Sequence, residues 1–190
     1  PESAPPIRFD DPVGRFIAAA RAVDAEVNQV DTGDAAFAHV AAAMGNETAY
    51  LAWDGLDDVI PHWTDLAMSA GWRRVDTAVE SGSRLDDHQR IGKVSVGITG
   101  ADVAIAATGT VVLTHGPGRP RAASLLVERH VVLVPVACVV HSLDDALQGI
   151  DWSTTSNVAA ITGPSRTGDI ESILTLGVHG PRHLHIVLIG

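Results

Sequence analysis

The chain has 190 residues, of which 46% are apolar, 19% charged and 4% aromatic, and it carries a formal charge of -10. That size and apolar content specify one folded domain with a substantial core and exclude a disordered segment. The acidic balance argues against nucleic-acid binding, which needs clustered Lys and Arg to neutralise phosphates.

In chain order, Asp10 and Asp11 before Pro12 mark a helix start, with Phe16, Ala19, Ala20, Val23 and Val27 as its apolar stripe. Asp34 opens a second helix, with Phe37, Val40, Ala41 and Met44 inward and Gly45 closing it. Residues 1–45 thus read as an N-terminal helical segment packed on the domain, and residues 46–190 as the α/β domain itself. Thr48 to Trp53 is the first strand; Leu56 to Ala70 reads as a helix with Pro61 in it, and Arg73 to Ala78 as a short strand. Trp53, Trp63 and Trp72 read as packing between helix and sheet. From Asp86 a helical turn leads to the strand Val94–Ile98. Ala101 to Ala107 and Thr110 to Thr114 read as two strands about a tight turn at Thr108 and Gly109, although the first also fits a short helix.

His115 to Arg121 is a loop rich in turn formers whose Arg119 and Arg121 are candidate anion contacts. His130 to Pro135 is a buried strand, Ser142 caps a short helix to Leu147, and Asp151 to Ser156 is a polar linker. The strand–helix alternation predicts a three-layer α/β fold.

The most informative stretch is residues 161–189. Asn157 to Ile161 is an apolar run broken by Gly163 and Pro164. A helix follows on this reading, capped by Ser165 or Thr167, with Ile170, Ile173 and Leu174 on one face and Gly177 at its end. Arg166 then lies at a helix N-terminus, where backbone donors and a guanidinium hold an anion. The strings Thr162-Gly-Pro-Ser-Arg-Thr-Gly-Asp-Ile-Glu171 and Gly177-Val-His-Gly-Pro-Arg182, with Leu184-His-Ile-Val-Leu188, closely resemble the LUD-domain family, in particular its lactate-utilisation protein C branch. The stretch Thr99 to Leu113 is a third motif of that kind. On this resemblance, members usually carry an acidic residue just before the Thr-Gly-Thr; Ala107 stands there in this chain, and Asp102 is the nearest acid.

The resemblance implies a fold of the NagB/RpiA/CoA-transferase type, a mostly parallel sheet with a small antiparallel element. It also implies a non-redox component of an L-lactate utilisation system, working in lactate oxidation to pyruvate with iron–sulfur partner subunits. Its role would be assembly or the binding of an anionic ligand. The ligand candidates are Thr108, Gly109, Thr110, Thr162, Gly163, Ser165, Arg166, Thr167 and His179. Because ligands of open α/β sheets sit beyond the carboxyl ends of the strands, the loops at 99–102, 108–110 and 162–167 are expected to converge there. The alternative is a free-standing enzyme or binder for a CoA ester, phosphorylated sugar, folate or nucleotide at the same loops. Neither a catalytic residue nor a resident cofactor is assigned. The single cysteine, Cys138, cannot supply the four thiolates of an iron–sulfur cluster, so clusters are expected in the partners.

Other chemistries lack their signatures. Ser165 is not followed by the second glycine of a nucleophile elbow, and no Gly-Lys-Ser/Thr phosphate loop occurs. His179, His183 and His185 are close in sequence, but no carboxylate or thiol completes a recognisable zinc spacing, so no metal is expected and the histidines read as structural. No stretch reaches the ~20 apolar residues of a membrane helix, and the start lacks the pattern of a signal peptide, which with the lone thiol points to the cytoplasm.

Overall fold

Two apolar strands, β7 (Arg129–Pro135) and β12 (His183–Ile189), pair in parallel along seven residues and form the centre of the sheet. The structure is a computed structural model and describes residues 6–78, 84–153, 155–168, 174–176 and 180–190. Beyond β12 lies β1 (Glu26–Val30); beyond β7 lie β4 (Val96–Gly100), β2 (Ala49–Ala52) and β3 (Arg73–Arg74). All five neighbouring pairs are parallel, so each connection crosses over a face of the sheet.

Both faces are therefore covered, and the strands are apolar on both sides. Val131, Leu133 and Val187 face one layer, where α2 (Gly33–Met44) and α3 (Trp63–Ser69) supply Ala36, Val40, Met44, Trp63 and Ala67. Val132, Val134 and Ile186, one residue out of phase, face the other layer. That layer holds α1 (Pro12–Ala22), which contributes Phe16 and Ala20, and a second sheet, which contributes Ala104, Val111 and Leu113. The second sheet has the order β8-β5-β6-β9, formed by β5 (Val103–Ile105), β6 (Thr110–His115), β8 (Val139–Val140) and β9 (Asn157–Ile161). Its β5–β6 and β6–β9 pairs are antiparallel and its β5–β8 pair is parallel. Its outer face is closed by α6 (Leu143–Gln148) through Ala146, and by Ile150 just after it. The Ser142 cap of α6 is a full capping box with Asp145, and Arg8 adds an ion pair to the same carboxylate. The remaining helices are α4 (Arg84–Gly92) and the one-turn α5 (Ala122–Leu125).

Four sequence expectations change. The segment 1–45 is not only helical: Val27 leaves the stripe of α1, and residues 26–30 form β1, reached through Asp24 at φ 64°. Its alternating polar and apolar residues make a half-covered edge strand that only the partner β12 reveals. The helix over 56–70 splits at Pro61 into a 3-10 turn, Leu56–Asp58, and α3, with His62 at φ 61° between them. The strand over 73–78 shrinks to the two residues of β3. The helix after Ser165 is replaced by a hairpin in which β10 (Arg166–Gly168) pairs antiparallel with β11 (Leu174–Leu176). Apolar spacing in that stretch suits either period, and pairing between its two arms decides. Ile170, Ile173 and Gly177 lie outside the described residues.

Candidate functional site

The Thr-Gly-Thr and Gly-Pro-Ser-Arg motifs come together because β9 runs antiparallel to β6, which places Ile161 opposite Val111. Thr110 Oγ1 lies 2.8 Å from Thr162 Oγ1 and 2.6 Å from Thr108 Oγ1, so three hydroxyls form a chain. Gly109 turns the hairpin at φ 67° against the backbone of α1, and Arg15 donates to the Ala107 carbonyl at 3.2 Å. Gly163, at φ 77°, packs on Val23 so closely that a Cβ would stand 2.3 Å from the Val23 carbonyl oxygen. Ser165 N donates to the Pro181 carbonyl at 2.8 Å. A cleft of about 280 Å³ opens here, lined by Thr162, Gly163, Ser165, Arg166, Ser124 and Leu184.

Arg166 is the first residue of a strand, not of a helix, so no helix dipole supports an anion beside it. Its Nη2 donates to the Val23 carbonyl at 3.2 Å and pairs with the exposed carboxylate of Asp24. Of the remaining candidates, Thr167 contributes backbone to β10, and His179 lies outside the described residues.

The position of this cleft corrects a second expectation. Val23 and Asp24 lead into β1, and Pro181 leads into β12, so residues 162–166 sit by the amino ends of the parallel strands. Only the 99–102 loop stands at a carboxyl end, that of β4. The β5–β6 hairpin starts there but folds back along the sheet, which carries its turn at 106–109 to the far end.

At the carboxyl edge the structure assembles residues from distant parts of the chain. Asp102 Oδ2 accepts from Thr114 N at 2.7 Å and Thr114 Oγ1 at 3.0 Å, and Oδ1 accepts from Arg119 Nη1 at 2.6 Å. The Arg119 guanidinium lies 4.9 Å over the ring of Trp53, which also meets the His115 ring in a T-shaped contact at 5.7 Å between centroids. His115 Nε2 is 3.4 Å from Ser124 Oγ, and burial is the main cause holding its pKa below the usual imidazole value. Behind it His130, fully buried, shares a 2.9 Å hydrogen bond with Thr99, and burial pushes its pKa down to about 3. Both rings are neutral at neutral pH. Sequence reasoning flagged Arg119 and Asp102 singly; their meeting with Trp53 and His115 has no spacing signature.

His183 and His185 share a strand face with ring centroids 6.5 Å apart, and His185 Nδ1 is 3.1 Å from Glu26. Among the described residues no group of three or more His, Cys, Asp or Glu side chains is placed to hold a metal. Cys138 is half-buried in a 3-10 turn after β7, and burial raises its thiol pKa. Among the described residues no helix is long and apolar enough to cross a membrane.

Comparison with known proteins places these motifs in context. A family model described as the LUD domain matches residues 13–189. A lactate utilization protein C of Deinococcus radiodurans is 29% identical over 195 residues, covering 100% of this chain and 88% of that protein. Another of the same name from Macrococcus caseolyticus is 39% identical over 97 residues, 47% of this chain and 41% of that protein. The chain spans about half the length of most of the curated relatives it matches. A crystal structure of a DUF162 family protein from Deinococcus radiodurans superposes with a TM-score of 0.71, over 97% of this chain and 100% of that one, at 22% identity, which is a likeness of fold.

Proposed function

Because this chain belongs to the LUD-domain family, we propose that it serves L-lactate utilisation as a component without a redox centre of its own. On this reading iron–sulfur partner subunits in the cytoplasm oxidise lactate to pyruvate, and this chain supports their assembly or holds an anionic ligand. The observation that carries it is the end-to-end kinship with a lactate utilization protein C. The lone Cys138 supports the division of labour, since a cluster takes four thiolates.

The ligand site of this proposal is the cleft at Thr162, Gly163, Ser165 and Arg166, with the Thr108–Thr110 hydroxyl chain behind it. An entering carboxylate or phosphate replaces Asp24 on the Arg166 guanidinium, an exchange that is affordable because the pair is exposed and weak. Two opposed outcomes follow. Arg166→Gln is expected to weaken anion binding at least about tenfold, and Asp24→Asn to tighten it about threefold by removing the competing charge. Calorimetric titration with inorganic phosphate checks both; equal affinities in wild type and both variants would remove the cleft from the proposal.

A further inference from the structure

The cavity at the carboxyl edge of the sheet is separate from that cleft and has a donor set of its own. It encloses about 330 Å³ and is lined by Asp102, Thr114, His115, Arg119, Ile150 and Thr155 among others. It lies where β4 ends and the 116–119 loop crosses, the position that ligands of parallel sheets occupy.

Asp102 anchors the wall rather than facing a ligand with a free oxygen. Oδ2 takes two donors from Thr114, and Oδ1 takes Arg119. Arg119 is held twice over: Nη1 donates to Asp102 and, at 3.0 Å, to Thr114 Oγ1, while its plane lies on Trp53. Among the described residues every side-chain hydrogen bond of Arg119 runs from Nη1. The Nε–Nη2 side of the guanidinium is left, two parallel N–H groups in the geometry that matches a carboxylate. Fixing the guanidinium beforehand removes much of the ordering cost of binding. His115, 2% exposed and set edge-on to the same Trp53 ring, gives the wall a neutral imidazole, and Ile150 gives it an apolar surface. Asp151 also lines the cavity, and its Oδ1 accepts from Ser153 N and Oγ. Two carboxylates at the wall against one guanidinium disfavour a dianion.

We propose that this cavity binds a small monocarboxylic acid, with the Nε–Nη2 side of Arg119 gripping the carboxylate, Ile150 against the carbon chain and the His115 imidazole beside the substituent at C2. The site stands on Arg119 and its supports alone and requires neither the lactate role nor the 162–166 cleft.

The test uses the whole chain with acetate, lactate, pyruvate and inorganic phosphate as probes. Phenylglyoxal, which modifies guanidinium groups, is applied with and without each probe, and peptide mapping reads Arg119 and Arg166 separately. The expected result is that monocarboxylates at about 10 mM slow Arg119 modification at least about threefold, whatever they do at Arg166, and that phosphate does not match them at Arg119. In titrations followed by tryptophan fluorescence, Arg119→Lys is expected to weaken carboxylate binding at least about tenfold, because an ammonium cannot grip both oxygens. Unchanged Arg119 modification, or equal protection of Arg119 by phosphate, overturns the proposal. The modification arm uses the wild-type chain, so it decides even where a variant fails to fold. Iron–sulfur partners enter neither arm, so failure of the lactate role leaves this result standing, and the reverse.

Discussion

Gly109→Ala is expected to destabilise the fold by about 2–5 kcal/mol, the left-handed backbone and the overpacking adding to each other. The residue sits at φ 67°, and a Cβ there would stand 2.2 Å from Ala20 N and 2.5 Å from the Ala19 carbonyl carbon, both backbone atoms of α1. Neither the helix nor the turn has a flexible side chain end that yields. Gly100→Ala is the control: a Cβ at that position meets nothing within 4 Å, and its cost is expected to stay within about 0.5 kcal/mol. Urea unfolding followed by circular dichroism measures both. Similar midpoints for the two variants would mean that the hairpin does not pack on α1 as described. The glycine of the Thr-Gly-Thr motif thus has a structural reason to be glycine, whatever the flanking threonines bind.

The second large effect is a pH dependence centred on His130. The folded chain holds this imidazole neutral down to about pH 3, whereas the unfolded chain protonates it near its ordinary value of 6.5. Between those limits the unfolded state binds one more proton than the native state, so stability falls as pH falls, by about 1.4 kcal/mol per pH unit from this group. Above pH 6.5 the contribution is complete and flat. His130→Asn keeps a polar partner for Thr99 but cannot take the proton. The variant is expected to start less stable at pH 7 and to lose stability with a slope smaller by one proton between pH 6 and 4. His115 and His185, whose pKa values burial also lowers, leave a residual slope in both proteins. Denaturant unfolding at a series of pH values reads the slopes; identical slopes would show that His130 is solvated or charged in the folded chain.

What the sequence made legible was what is local or wholly apolar. The runs of β7 and β12 admit no other reading, because few polar residues interrupt them. The Ser142 cap of α6 and the turn at Gly109 follow from chemistry within a few residues. The N-terminal strand β1 escaped because two of its five residues are exposed and a third is half-buried, and its identity depends on β12, more than 150 residues away. The stretch after Pro164 escaped for a related reason: Ser165 looks like a helix cap until Pro181 takes its N–H and Arg166 pairs with Leu176 across a hairpin.

The same limit explains the site. Residue types named the motif partners correctly, since Thr108, Thr110 and Thr162 do meet. Which end of the sheet they occupy was set by β5 and β6 folding back along it, a tertiary fact with no local signal. At the other end, the contact of Trp53 with both Arg119 and His115 joins positions more than 60 residues apart. Edge position and donor geometry, rather than motif spacing, single that cavity out.

The most direct test of the proposed lactate role is lactate-dependent dye reduction by the proposed iron–sulfur partner subunits, measured with and without this chain. The account predicts that reduction, or formation of the complex that performs it, requires the chain, while the chain alone reduces no dye. Full activity from the partners without it, together with no association between them and the chain, would contradict the account.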